Sequence, residues 1–169
     1  MADGLVRQAV QAWLAGASIP GLQKVYLDVP WFIDGNSWDL TSNDWGAISM
    51  VHLNDSKESR LTLGAAIGGT KMAEHTVAVI VRYQYLIPDN LPTGQDFDAW
   101  VTGLDTIIDG IKDRIRSSPT LGTAPGGVVF QAGQSQNDIR ITRDMPLFDG
   151  GRVWSWSAIE FDVTEVITA

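Results

Sequence analysis

The stretch that decides the fold runs from His75 to Ser118 and reads HTVAVIVRYQYLIPDNLPTGQDFDAWVTGLDTIIDGIKDRIRSS. Its first part alternates between two sets of side chains with a period of two, which predicts a long β-strand. One set is Val77, Val79, Val81, Tyr83, Tyr85 and Ile87, and the other is Ala78, Ile80, Arg82, Gln84 and Leu86. The strand begins apolar on both faces, so we expect burial on both faces there. Its polar end predicts contact with solvent or with a partner.

The second part of the stretch predicts one long amphipathic helix over residues 96–117. Pro88 and Pro92 end the strand before it, and Pro119 ends the helix. An apolar stripe follows helical spacing through Phe97, Trp100, Val101, Leu104, Ile107, Ile108, Ile111 and Ile115. Gly103 and Gly110 each cost about 1 kcal/mol relative to Ala in a helix. We therefore expect tight packing or a close approach at both glycines.

Shorter patterns predict the elements on either side of this strand–helix unit. Apolar residues at helical spacing indicate an N-terminal helix over residues 3–15. Residues 30–46 are rich in Trp, Asp, Asn, Ser and Gly and predict a long ordered loop. Residues 47–87 predict an antiparallel meander of three strands with a polar turn at 54–59.

Further strands are predicted over residues 127–167, and the last of them contains a change of phase. Trp154 and Trp156 share one parity, whereas Ile159, Phe161 and Val163 share the other. Either a bulge near residues 157–158 realigns the two groups, or the tryptophans face away from the core. All elements together predict one α+β domain spanning residues 1–169. Its mixed or antiparallel sheet is packed by the N-terminal helix and the long central helix.

The composition restricts the classes of function. The chain of 169 residues has no Cys, which excludes disulfides, thiolate metal sites and a Cys nucleophile. Its net charge of −8 is spread along the chain without a basic cluster, which argues against tight phosphate binding. No run approaches the roughly 18 apolar residues of a membrane span. We expect a soluble protein made in a cytoplasm.

The sequence contains no motif that carries chemistry. His52 and His75 are the two histidines, and neither lies in an HExxH or comparable ligand spacing. No GxSxG surrounds a serine, and the glycine-rich segments lack the lysine of a phosphate-binding loop. We therefore predict no catalytic, cofactor-binding or metal-binding residues, and no enzymatic activity.

The tryptophan-rich loop allows three interpretations. Trp31, Trp38 and Trp45 lie beside Asp34, Asp39 and Asp44. Tryptophans beside acids are found in sugar-binding clefts, but they also pin loops onto a sheet by burying a large area. The third interpretation is a protein interface, where Trp is enriched. The candidate interface residues are Trp31, Trp38, Trp45, Trp154 and Trp156.

The order of elements resembles that of a known family. The helix VRQAVQAWLAG leads through IPGLQKVYLDVP into a sheet, and the strand VAVIVRYQYLIP leads into the helix FDAWVTGLDTIIDGIKDRIRSSPTLG. Strands follow and end in an aromatic final strand. This order resembles the tail terminator proteins of long-tailed bacteriophages, especially phages of actinobacteria. The loop over 30–46 is longer than the minimal pattern of that family.

The resemblance implies a structural protein of the virion, at the junction of head and tail. Six subunits would form a ring that caps the completed tail tube, stops its polymerisation and joins it to the head–tail connector. The implied partners are other copies of the chain, the tail tube protein and the connector. DNA would pass through the ring without specific binding, and no cofactor, metal or membrane is involved. The alternatives are another neck or head-completion protein, a carbohydrate-binding module that uses Trp31, Trp38 and Trp45, and a small hydrolase with an acid pair.

Overall fold

The computed structural model of the chain describes residues 2–28, 45–60, 71–87, 92–122, 128–132 and 139–167. The described residues contain two helices and one seven-stranded sheet, which confirms the predicted α+β class. In chain order the elements are α1 (Ala2–Ala15), β1 (Leu22–Tyr26), β2 (Trp45–Arg60), β3 (Lys71–Leu86), α2 (Gly94–Ser117), β4 (Val128–Ala132), β5 (Arg140–Arg143), β6 (Leu147–Asp149) and β7 (Arg152–Ile167).

The sheet is mixed, and three strands of 16 residues each form most of it. The strands lie in the order β1-β2-β3-β7, and β4, β5 and β6 all pair with the remaining edge of β7. Only the pair β1–β2 is parallel, and the other pairs are antiparallel. In the described residues, β1 therefore forms one edge of the sheet and the three short strands form the other.

Both helices pack against the same side of the sheet, which we call the helix face. From the sheet, this face contributes Val51, Val77, Val79, Val81, Tyr83, Ile159, Phe161 and Val163 to the core. From the helices, the core receives Val6, Val10, Leu14, Leu104, Ile107, Ile108, Ile111 and Ile115. The apolar stripe of the predicted central helix is thus buried along most of its length. Its first member differs, because Phe97 is exposed.

Gly103 and Gly110, the glycines in the interior of α2, lie where the sheet and a loop approach the helix. A Cβ at Gly103 would overlap the hydroxyl of Tyr83, and a Cβ at Gly110 would lie 2.7 Å from the Cγ2 of Ile19. Real Cβ atoms do not come that close to a neighbour. The expected close approach at both positions is confirmed, and it explains why the helix tolerates two residues of low helix propensity.

The polar turn predicted at residues 54–59 is wrong, because β2 continues through this segment to Arg60. Its polar residues pair with β3: Ser56 lies opposite His75, and Glu58 forms an ion pair with Lys71 at 2.8 Å. A hydrophilic stretch can extend a strand when its backbone hydrogen bonds are paired and its side chains reach solvent. The described part of the predicted meander is therefore two long strands. Residues 61–70, which held most of the expected middle strand, lie outside the described residues.

The change of phase in the last strand is resolved without a bulge between β3 and β7. Their ladder runs without a register shift from Leu86↔Arg152 to Lys71↔Ile167. Ser155 and Ser157 continue the buried parity of Ile159 on the helix face. Trp154 and Trp156 therefore lie on the opposite side of the sheet, which we call the far face. Of the two interpretations of the sequence, the one with outward tryptophans is confirmed.

Candidate interaction surfaces

The candidate interface tryptophans are divided between the two faces of the sheet. Trp31 and Trp38 lie outside the described residues. Trp45 begins β2 on the helix face and is partly buried against the core, with its ring 6.2 Å from that of Tyr83. A Cβ at Gly21 would overlap the Trp45 ring, so the backbone of Gly21 lies directly against the indole. Trp154 and Trp156 lie on the far face, so the structure does not bring Trp45 together with them.

On the far face, Arg82 lies against both tryptophans of β7. Its guanidinium carbon is 4.6 Å from the ring centroid of Trp154 and 5.2 Å from that of Trp156. The cross-strand pairing of Arg82 with Trp156 sets this arrangement. Burial lowers the pKa of the Arg82 guanidinium from its ordinary value. The cation and the two indoles form an amphipathic surface of the kind that protein interfaces favour.

A shallow concavity lies beside this aromatic cluster. Its volume is about 610 Å³, and its lining is Arg82, Leu147, Asp149, Gly150, Arg152, Trp154 and Trp156. Acidic, basic and aromatic groups share the lining, so the surface offers hydrogen bonds and ring contacts without a single charge sign. Such a mixed lining suits a protein surface better than a site for one small anion.

The largest exposed apolar side chains gather where β6 approaches the N-terminal end of α2. Phe97 is 62% exposed, Met145 86%, Leu147 66% and Phe148 56%. Between β6 and the helix lies an apolar groove of about 240 Å³. Its lining is Tyr85, Ile87, Pro92, Thr93, Asp96, Phe97, Trp100, Pro146, Leu147, Phe148 and Val153. We call this groove, together with Met145, the end groove.

A tight hairpin builds one wall of the end groove. β6 and β7 are joined by Gly150 and Gly151, whose φ angles of 55° and 82° are those of a two-residue type I′ turn. The carbonyl of Gly151 accepts a hydrogen bond of 2.7 Å from the N–H of Ile87, which fixes the hairpin to the end of β3. Sequence reasoning did not predict β6. The available signal was the Gly-Gly pair after Asp149, which is typical of a hairpin turn.

The opposite wall is the capped N-terminus of α2. The Thr93 side chain accepts a hydrogen bond from the N–H of Asp96, and the Asp96 carboxylate accepts one from the N–H of Thr93, which forms a capping box. The Tyr85 hydroxyl also donates to Asp96, at 3.2 Å. The Thr93 hydroxyl donates a further hydrogen bond to the Asp96 carboxylate. This bond is the largest cause of a lowered pKa of Asp96, and the bonds from the Thr93 N–H and the Tyr85 hydroxyl lower it further. The wall therefore carries a negative charge at neutral pH.

The two histidines take part in separate polar clusters. His75 is buried, with its Nε2 3.2 Å from Glu165 Oε2 and its Nδ1 2.9 Å from Ser56 Oγ. Each residue of this cluster comes from a different long strand, so the cluster links β2, β3 and β7. At the β1 edge, His52 Nδ1 lies 3.0 Å from Asp28, which also pairs with Arg7.

Ser56, His75 and Glu165 are residue types found in hydrolytic triads; His75 and Glu165 are buried here, whereas Ser56 is exposed. His75 and Glu165 are each 1% exposed, and the imidazole lies between the Ser56 hydroxyl and the Glu165 carboxylate.

The residues that the structure describes contain no group of three or more His, Asp or Glu side chains that could hold a metal ion. None of the described helices is long and apolar enough to cross a membrane. The sequence matches no protein-family model, and no curated protein matches it.

Proposed function

We propose that this chain is a tail terminator of a long-tailed bacteriophage, a structural ring subunit that caps the tail tube and joins it to the connector of the head. The order of its elements supports this, because a short helix, a long strand and one long helix precede an aromatic final strand. The proposed ring has six copies, as the resemblance implies. No catalytic step is part of the proposal.

The end groove is the observation that carries the proposal. A monomeric soluble protein seldom collects three large exposed apolar side chains, here Phe97, Leu147 and Phe148, along one groove, and such patches mark contact sites. A ring subunit needs surfaces of this kind for its neighbours, for the tube and for the connector. The aromatic cluster on the far face adds a second surface suited to protein contact.

The frame of the molecule also supports a structural role. Three paired strands of 16 residues and a helix of 24 residues form one continuous core. A rigid frame of this kind fixes the angle between neighbouring copies, and that angle decides whether a head-to-tail contact closes into a ring. The net charge of −8 is compatible with a lumen that repels DNA phosphates and lets the duplex slide.

The experiment that tests the proposal is native mass spectrometry of the purified chain, alone and with the tail tube protein of the same virus. The expected result is a closed species of six subunits, either free or on the ends of tubes. Negative-stain electron microscopy should then show tubes that stop growing once the chain is added. A chain that stays monomeric in both settings and leaves tube length unchanged would overturn the proposal.

The role of the aromatic cluster can be separated from folding by one double variant, Trp154→Ser with Trp156→Ser. Both indoles lie on the far face, so the core on the helix face stays intact and the protein should remain folded. We expect the melting temperature to fall by only a few degrees, because the contacts with Arg82 are lost. Capping of tubes or assembly of rings should fall much more. Glu160→Gln, on the same face of β7, is the matched control.

The alternatives predict different results in the same assays. Another neck protein would form rings but would bind the connector without limiting tube length. A carbohydrate-binding module needs an exposed tryptophan platform, whereas Trp45 is partly buried against Tyr83 and the backbone of Gly21. We therefore do not propose that function.

A further inference from the structure

We propose that Ser56 is a nucleophile activated by His75, and that its hydroxyl takes up the acyl or phosphonyl group of a small, uncharged, reactive ester. A reactive serine is a property separate from ring assembly, so it stands or falls independently of the proposed function. It follows from the polar cluster that joins β2, β3 and β7.

The three side chains of this cluster have the mutual geometry of a nucleophile, a base and a group that orients the base. Ser56 Oγ lies 2.9 Å from His75 Nδ1, and His75 Nε2 lies 3.2 Å from Glu165 Oε2. Serine hydroxyls are activated by a base in this position when a third group holds the base. Exposure follows the same order, because Ser56 is exposed, whereas His75 and Glu165 are buried. The residues lie far apart in the chain, so no sequence motif reveals them.

The Glu165 carboxylate selects the tautomer of His75 that can act as a base. An ionised carboxylate only accepts hydrogen bonds, so the ring proton of a neutral His75 lies on Nε2 and is donated to Glu165. Nδ1 then presents its lone pair to the Ser56 hydroxyl. Glu165 Oε1 is buried without a hydrogen-bond partner among the described residues. A positive charge formed on the imidazole would therefore compensate a poorly satisfied buried carboxylate.

A shift in the strand register places the serine opposite the histidine. Leu53 of β2 lies opposite Val77 of β3, and the register changes by one residue between Leu53 and Asp55. As a result, Ser56 lies opposite His75. An unshifted ladder would bring Asp55 to that position and leave the imidazole without a hydroxyl partner. Extra residues of this kind in a strand redirect side chains and are frequent beside functional sites.

The reaction that this geometry supports is a displacement at an acyl carbon or at phosphorus. Ser56 Oγ forms the new bond while its proton passes to His75 Nδ1. The leaving group departs with the electron pair of the bond that breaks, and the imidazolium then gives its proton to the leaving group or to water. Ser56 is left as an ester.

The surroundings of Ser56 determine which esters should react. The Ser56 N–H donates to Asp55 Oδ1 at 2.8 Å, so this N–H is not available to a developing oxyanion. An ester with a good leaving group depends least on such stabilisation. The Asp55 carboxylate also repels anionic reagents, which favours an uncharged ester.

The test treats the folded chain with an uncharged fluorophosphonate ester and measures the mass of the intact protein over time. We expect one adduct, located at Ser56 by peptide mapping, and no adduct after unfolding in urea. Ser56→Ala should remove the adduct. His75→Gln should slow its formation by about 100-fold or more, as expected for the loss of a general base. Ser59→Ala, on the same strand, is the matched control and should react at the rate of the wild type.

The pH dependence of labelling keeps the proposal testable if His75→Gln fails to fold. The imidazole is faced by Ser56 and Glu165, and the ion pair of Glu58 with Lys71 lies further along the same two strands. The wild-type rate should rise with pH and reach a plateau as the imidazole becomes neutral. Glu165→Gln should move the midpoint of this rise to lower pH, because the carboxylate charge favours the imidazolium. A purely structural role of Glu165 would leave the midpoint unchanged.

Three results would overturn the proposal. The first is a folded wild type that forms no adduct. The second is labelling of several serines at similar rates, and the third is a folded His75→Gln variant that reacts as fast as the wild type. A wild-type rate that does not change with pH would overturn it as well. The cluster would then serve only to link the three long strands, and the proposed ring would be unaffected.

Discussion

Trp13 and Arg114 join the two helices by a reciprocal pair of hydrogen bonds. The Trp13 indole N–H donates to the carbonyl of Arg114 at 2.8 Å, and the Arg114 Nε–H donates to the carbonyl of Trp13 at 3.0 Å. The guanidinium also lies over the indole, 3.4 Å from the ring centroid. Each residue therefore supplies both a donor and an acceptor near the C-terminal ends of α1 and α2. The arrangement fixes the helices to each other on the sheet.

The first prediction concerns this pair. Trp13→Phe keeps a ring under the guanidinium but removes the indole donor, and Arg114→Lys removes the planar donor that reaches the carbonyl of Trp13. Each change should lower the free energy of unfolding by about 1–2 kcal/mol. The double variant should lose less than the sum, because the two residues share one set of contacts. Urea unfolding followed by circular dichroism measures this, with Arg116→Lys as the exposed control. Strictly additive losses would contradict the coupling.

The second prediction concerns the contact between Tyr83 and Gly103. The Tyr83 hydroxyl is buried without a hydrogen-bond partner among the described residues, and burial raises the pKa of Tyr83 above its ordinary value. Tyr83→Phe removes this unsatisfied polar group, so we expect stability to be unchanged or slightly higher. Gly103→Ala should destabilise the wild type by about 1–3 kcal/mol, because its methyl group overlaps the hydroxyl.

The combination of these changes is the sharper measurement. In the Tyr83→Phe background the hydroxyl that the added methyl group would overlap is absent, and Ala favours a helix more than Gly does. Gly103→Ala should therefore lower the free energy of unfolding clearly less in this background than in the wild type. Thermal unfolding of the two single variants and the double variant gives the comparison. If Gly103→Ala is equally harmful in both backgrounds, then the hydroxyl is not what excludes a side chain at this position.

The third prediction concerns the buried stripe of α2. Ile108→Asp would place an unpaired carboxylate in the core, where Ile108 is fully buried. The expected loss of stability is several kcal/mol, which is a large part of the stability of a domain of this size. Thr102→Asp adds the same group on the exposed face of the helix and should stay within about 0.5 kcal/mol of the wild type. Circular dichroism melts test both, and equal melting temperatures would mean that the stripe is not buried.

Strong periodicity made the long elements predictable from the sequence. The alternation in β3 and the apolar stripe of α2 extend over many residues. Few secondary structures other than a strand and a helix would place those apolar residues on one buried face. The helix glycines were recognised as positions of close approach, although Tyr83 and Ile19 could not be identified as their neighbours. Those contacts join residues far apart in the chain, and a single sequence carries no signal for such pairs.

The errors have local physical causes. Residues 54–58 of β2 are exposed, and a solvated strand has the composition of a turn. Phe97 follows the apolar period of α2 but lies at the helix end, beyond the part that the sheet covers. β6 has only three residues and cannot show a period. Both Phe97 and β6 contribute to the end groove, so the periodic pattern of the sequence did not reveal that surface.

The fourth prediction concerns Asp96 in the capping box and the dependence of stability on pH. Hydrogen bonds from the Thr93 hydroxyl, the Thr93 N–H and the Tyr85 hydroxyl lower the pKa of Asp96 in the folded protein. A carboxyl whose folded pKa lies below its unfolded value of about 3.9 stabilises the fold fully above that value. The contribution is lost as the pH falls through the folded pKa.

Asp96→Asn should therefore destabilise the protein at pH 7, and the difference from the wild type should shrink as the pH falls below about 4. Chemical unfolding across this range measures the difference at each pH. Asp98→Asn is the matched control, because Asp98 is an exposed aspartate on the same turn without a described hydrogen bond to the cap. We expect the control to stay near the wild type at neutral pH. A loss of stability in Asp96→Asn that stayed constant from neutral to strongly acidic pH would show that the variant disturbs packing at the helix end, and that the carboxylate charge does not stabilise the cap.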